Sequence, residues 1–175
     1  MNNLTNSADL NLDLAMAQLK RLTADMSIKA YRFDFNYGDN VGNELSIDEF
    51  YANFLNFKNK LKHIPLAGYV FALEEDDIGY HIHMVAYMSS GNETSNETLA
   101  RLLEAQWEQS TNNAGYVYNP LLSGIQSTGK HNDIITSGII TKANKTRMDK
   151  VINYLKYITT ESTDSVSSIQ SFYLG

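Results

Sequence analysis

Residues Leu66-Ala67-Gly68-Tyr69-Val70-Phe71-Ala72-Leu73-Glu74 and Gly79-Tyr80-His81-Ile82-His83-Met84-Val85, separated by the short polar stretch Glu75-Asp76-Asp77-Ile78, read as a β-hairpin. Side chains at i and i+2 of a strand share a face, so His81 and His83 point the same way. With a loop of two residues (Asp76, Asp77) or four (Glu75 to Ile78), Glu74 stands opposite Gly79 and Ala72 opposite His81. Glu74, Ala72, His81 and His83 then take one face, and Phe71, Leu73, Tyr80, Ile82 and Met84 take the other. The second set is apolar or aromatic throughout, so burying it brings a carboxylate and two imidazoles to one surface. Glu74 lies diagonal to His81 in this register, about 7–8 Å between backbones, a gap that long side chains span to a shared ion. Such a set suits the facial triad of a non-haem iron oxygenase, or a divalent ion that polarises a phosphate. The plainer alternative is a pair of surface histidines with Glu74 as a charge flanking the loop.

The chain around this hairpin has 175 residues, 43% of them hydrophobic, with seven Phe and eleven Tyr, enough to fill one core. Cysteine is absent, which excludes a disulfide framework and a thiolate zinc site, and leaves only N and O ligands for any metal. The stretch Met1-Asn2-Asn3-Leu4-Thr5-Asn6 lacks the basic and apolar regions of a signal peptide, and no apolar run approaches membrane-spanning length. The expectation is a soluble cytoplasmic protein with no membrane partner. Net charge is −6, unevenly spread: residues 1–125 hold eight basic against sixteen acidic side chains. Residues 126–157 reverse this with Lys130, Lys142, Lys145, Arg147, Lys150 and Lys156 against Asp133 and Asp149. A basic segment in an acidic protein is either an anion-facing wall or a solvated helix face.

Leu10 to Ala24 has helical spacing, and Ile28 to Tyr37 reads as a strand in which Tyr31, Phe33, Phe35 and Tyr37 alternate with Arg32, Asp34 and Asn36. Ser46-Ile47-Asp48-Glu49 opens a helix with a capping-box pattern, continued by Phe50, Phe54, Phe57 and Leu61. After the hairpin come a helix from Asn92 to Gln109, an irregular stretch from Tyr116 to Ser127, a strand from Asp133 to Thr141 and a helix from Lys145 to Thr160. The plan is α+β: an antiparallel sheet of about four to five strands, with helices on one face and the other face partly open. The boundaries fall at 1–27 for an N-terminal helical extension, 28–160 for the main domain and 161–175 for a polar tail. On the last helix Val151, Ile152, Leu155 and Ile158 form the apolar side. Tyr154 falls at the edge of that stripe, Tyr157 beyond it, and Lys150 and Lys156 on either flank.

A polar motif on the first strand, a His-hydrophobe-His strand with an upstream Glu, and Tyr near Lys on a late helix together resemble the HUH endonucleases. The likeness is to their rolling-circle replication-initiator branch, in filamentous and other single-stranded-DNA phages and in plasmids, and covers about residues 28–160. Arg32-Phe33-Asp34-Phe35-Asn36-Tyr37 resembles the first motif, Gly79-Tyr80-His81-Ile82-His83 the second and Tyr154-Leu155-Lys156-Tyr157 the third. The third departs from the family's Tyr-x-x-Lys, since Tyr157 stands three residues after Tyr154 and Thr160 three after Tyr157. The resemblance implies a ferredoxin/RRM-like fold. It also implies nicking and joining of single-stranded DNA or an origin hairpin through a 5′-phosphotyrosine, alongside a host helicase and polymerase. It further implies Mn²⁺ or Mg²⁺ on His81, His83 and Glu74, with Tyr154 or Tyr157 as nucleophile, assisted by Lys156; the helical wheel favours Tyr154. Arg32, Asn36, Lys142, Lys145, Arg147 and Lys150 are the expected DNA contacts. The alternatives are a small HUH transposase or relaxase, and a non-catalytic nucleic-acid-binding module on the same fold.

Overall fold

The chain's structure, a computed structural model, describes residues 5–38, 41–76, 79–119, 139–160 and 172–175. Its elements in chain order are α1 (Thr5–Asp25), β1 (Ile28–Tyr37), the one-turn α2 (Val41–Glu44), α3 (Ile47–Lys60), β2 (Gly68–Asp76), β3 (Gly79–Ser89), α4 (Asn96–Ser110), β4 (Gly115–Tyr118), β5 (Ile139–Ile140), α5 (Lys145–Thr160) and β6 (Phe172–Leu174). The six strands form one antiparallel sheet in the order β4-β1-β3-β2-β6, with β5 beside β4 on the same edge of β1. The expected α+β class and antiparallel sheet are present. Of the expected strand from Asp133 to Thr141, Ile139 and Ile140 form β5 and Thr141 lies just past its end; residues 133–138, like the hairpin loop at 77–78, lie outside the described residues.

Strict alternation sends the aromatic residues of β1 to one face. There Phe33, Phe35, Phe71, Leu73, Ile82 and Met84 pack under Phe50, Phe54 and Phe57 of α3 and Leu99, Leu103 and Trp107 of α4. Phe35 is the hub, its ring 4.7 Å from Phe57, 5.7 Å from Trp107 and 6.4 Å from Phe71. The Trp107 indole N–H donates to the Asn36 carbonyl at 3.0 Å, which ties α4 to the end of β1. Gly115 must be glycine, because a Cβ there would run into the Trp107 ring. At the start of α3 the reciprocal Ser46 and Glu49 hydrogen bonds complete the capping box read from sequence.

The other face is covered as well, which corrects the expectation of helices on one face only. Val70, Ala72, Val85, Tyr87, Ile28 and Ala30 make most of that face apolar, and they lie under Ala15, Leu19 and Leu22 of α1 and Val151, Tyr154, Leu155 and Ile158 of α5. An apolar patch of that size demands a cover. Charged residues and the two histidines gather at one end of this face, and they build the site. Of the expected polar tail, residues 161–171 lie outside the described residues, and Phe172–Leu174 pair as β6 with Val70 to Ala72 of β2.

Candidate metal centre

Three neighbouring strands supply the site in successive rows. Asp34 of β1, His83 of β3 and Ala72 of β2 stand in one row; His81 and Glu74 face each other in the next; Arg32 lies one row behind, opposite Val85. The hairpin closes one residue later than the sequence reading had it: Asp76 pairs with Gly79, so Glu74 is directly opposite His81 and Ala72 opposite His83. Gly79 adopts φ 97°, a backbone conformation that glycine alone takes readily. This slip moves each strand by one residue together, so the faces survive, and Glu74 comes closer to both histidines than the diagonal placement allowed.

His81 Nε2 lies 3.2 Å and His83 Nε2 3.3 Å from the same Glu74 oxygen, Oε2. The three ligand atoms fall within 4.8 Å of one another, and both histidines are buried. Ligands about 2.1 Å from one ion and at right angles are about 3.0 Å apart, so this spacing fits a metal. The far sides of the rings agree. His81 Nδ1 is 3.2 Å from the Gly79 carbonyl and His83 Nδ1 is 2.7 Å from Asp34 Oδ1, and both partners can only accept. A proton on Nδ1 suits each of these acceptors, so a neutral ring turns the lone pair of its Nε2 toward the Glu74 carboxylate. Three electron-rich atoms converging in this way need a cation between them, either a proton or a metal ion.

Electrostatics in the metal-free site follow from that need. Burial disfavours a charged His83, but the charge and hydrogen bond of Asp34, followed by those of Glu74, outweigh it and raise the imidazole pKa to about 9. Burial likewise pushes Glu74 up, and hydrogen bonds from His81 and His83 override it, bringing the carboxyl down to about 2. Asp34 is held below its ordinary range in the same manner, by His83 and then by Arg32 against the penalty of burial.

Arg32, one of the expected DNA contacts, turns its guanidinium onto Asp34. Its side chain is 15% exposed and its fork grips Asp34, Nη2 to Oδ2 at 2.7 Å and Nε to both carboxylate oxygens at 3.0 and 3.1 Å. The guanidinium also lies 4.9 Å from the centre of the Tyr154 ring. Tyr154 lies at the edge of the buried stripe of α5, as the helical wheel has it, yet it is fully enclosed, with no exposure. Its hydroxyl has no hydrogen-bond partner among the described residues, and burial, then the charge of Asp34, drives its pKa well above the usual value. Tyr157 is half-buried, its ring 6.3 Å from that of His83 and 5.9 Å from that of Tyr154. Asn36 lies beyond Asp34 on the same strand face and is partly exposed, while Lys156 is exposed. Lys142, Lys145, Arg147 and Lys150 lie around the start of α5, all of them exposed. That end adjoins β5, which pairs with Ile28 and Lys29, about 20 Å along β1 from Asp34. Asp34 is the site residue that sequence reading did not single out, although its alternation with Phe33 and Phe35 already put it on the polar face.

No protein-family model, curated protein or solved structure matches the chain. Among the described residues, no helix is long and apolar enough to cross a membrane.

Proposed function

We propose that this chain is an HUH-type endonuclease that cuts one strand of DNA, holds the broken end on Tyr157 and can rejoin it, as a rolling-circle initiator does. The observation that carries the choice of nucleophile is the half-buried Tyr157 ring beside His83, against a Tyr154 that is enclosed and stacked on Arg32. A phenol that must meet a phosphate needs a route to it, and burial alone makes the Tyr154 phenolate costly. The preference drawn from the helical wheel is therefore reversed.

When bound by Glu74, His81 and His83, Mn²⁺ or Mg²⁺ supplies Lewis-acid polarisation of the phosphate, and two imidazole ligands suit Mn²⁺ better. The rest falls to the chain itself. Tyr157 gives up its phenolic proton and its oxygen bonds to phosphorus; the bond from phosphorus to the 3′-oxygen breaks, and that oxygen leaves as a hydroxyl, taking up one proton. Reversal rejoins the strand without ATP, while a polymerase extending the free 3′-hydroxyl, with a helicase opening the duplex, makes the cut an initiation event. Lys142, Lys145, Arg147 and Lys150 contact phosphates, and the exposed Tyr116, in register with Asn36 on the site face, offers a base a stacking surface.

A second reading has its own support. Glu74 Oε2 lies within hydrogen-bonding reach of both Nε2 atoms, so with a proton in place of a metal the cluster satisfies itself as a structural element of a non-catalytic binding module. Labelled single-stranded oligonucleotides incubated with Mn²⁺ and run on denaturing gels separate the two. The nickase predicts a covalent adduct that persists in Tyr154→Phe and disappears in Tyr157→Phe and His81→Ala. Absence of any adduct across a broad oligonucleotide pool favours the binding module.

A further inference from the structure

Arg32 and Asp34 lie behind the three ligands, and their geometry assigns them a task that the resemblance does not supply. Asp34 Oδ1 accepts from His83 Nδ1 at 2.7 Å, while the Arg32 fork favours Oδ2, with two N–H groups at 2.7 and 3.0 Å against one longer approach to Oδ1 at 3.1 Å. The Arg32 guanidinium has the Tyr154 ring against it at 4.9 Å, and Asp34 is itself buried. We propose that Arg32 and Asp34 are positioning residues of the metal centre: Arg32 fixes which edge of Asp34 faces His83, and Asp34 thereby holds the His83 proton on Nδ1 and its lone pair on the metal-facing Nε2. The inference rests on reading Glu74, His81 and His83 as ligands. It gives Tyr154 a structural part, as the aromatic plate that keeps the Arg32 fork in place.

The arrangement has a consequence that simple loss of a contact does not share. In Asp34→Asn the two edges become different, one a carbonyl and the other an NH₂. The Arg32 fork can only donate, so it claims the carbonyl and turns the NH₂ toward His83. An NH₂ donating to Nδ1 forces the ring proton onto Nε2, where a metal would have to bind. With Arg32 removed as well, the new side-chain amide is free to rotate and offer its carbonyl to His83, restoring the correct tautomer. Removing Arg32 should therefore repair part of the damage done by Asp34→Asn.

The test is Mn²⁺ affinity, read from loss of the free-ion electron paramagnetic resonance signal, in the wild type, Asp34→Asn, Arg32→Met and the double variant, with thermal melts as a check on folding. Asp34→Asn is expected to bind about 10–100-fold more weakly than wild type. The double variant is expected to bind more tightly than Asp34→Asn alone. A double variant no tighter than Asp34→Asn, or an Asp34→Asn with wild-type affinity, overturns the positioning role and leaves the ligand set standing. A wild type that does not bind Mn²⁺ overturns the ligand set together with it. A measurement on the unaltered chain guards against variants that fail to fold: with Zn²⁺ bound, ¹⁵N NMR should find His83 protonated at Nδ1 and ligated through Nε2. Ligation through Nδ1 would overturn the proposal on its own.

Discussion

The two faces of the sheet are built from the same alternating strands, yet they solve opposite problems. The face under α3 and α4 has an aromatic centre, a mesh of Phe33, Phe35, Phe57, Phe71 and Trp107, with Lys29 and Glu75 at its two ends. The face under α1 and α5 is apolar over Ala30, Val70, Val85 and Tyr87 and then turns ionic, with Arg32, Asp34, Glu74, His81 and His83 packed together. The difference separates where stability is made from where chemistry is prepared. Hydrophobic area grips the sheet on one side, and that grip lets the other side hold buried charges in a fixed geometry at a net cost.

The largest expected effect on stability thus lies on the aromatic face. Phe35→Ala removes the ring that touches Phe57, Phe71 and Trp107, and a large-to-small change at such a hub costs about 3–5 kcal/mol. Urea denaturation should show it as a lower midpoint, with the shape of the pH profile unchanged. A loss below about 1 kcal/mol, or a changed pH profile, would break the division between the faces.

The ionic end should instead set how stability varies with pH. In chelator, His83 has a folded pKa of about 9, above its unfolded value, so its contribution is complete below about pH 6.5 and is lost as pH rises through 9. Glu74, at about 2 in the folded state, acts in the other direction: its contribution is complete above about pH 4.5 and is lost as pH falls through 2. Stability should peak between these limits. The alkaline fall should be on the order of 2–3 kcal/mol and should shrink in Asp34→Asn, because Asp34 is the main cause of the His83 shift. A flat alkaline limb in the wild type would mean that the imidazole is not held between two carboxylates.

The same contrast explains what the sequence made legible. Periodicity and caps are local, and β1, the capping box of α3 and the bounds of α5 came out as read, Ile28–Tyr37 and Lys145–Thr160 included. The clustering of His81, His83 and Glu74 was also legible, because a strand period of two and an apolar opposite face force it. Pairing between distant segments was not. No local signal says that Asp34 faces His83, forty-nine residues away, or that Phe172–Leu174 adds to β2. The full enclosure of Tyr154 was hidden for a similar reason. Its place on α5 depends on which helix face meets Arg32, and a helical wheel weighs a tyrosine as half polar without knowing that a guanidinium lies beneath it.

That enclosure yields the smallest predicted effect and a pointed one. The Tyr154 hydroxyl is enclosed with no partner among the described residues, so it bears a desolvation cost with no hydrogen bond in return. Tyr154→Phe keeps the ring against Arg32 and removes only that oxygen. The variant should be as stable as wild type or about 1 kcal/mol more so, a rise of about 2–4 °C in Tm for a chain of this size. Mn²⁺ affinity should stay put, since the plate over Arg32 is intact. A drop in Tm with weakened Mn²⁺ binding would mean that the hydroxyl takes part in the ionic end, and the boundary between grip and chemistry would then run through α5 rather than beneath it.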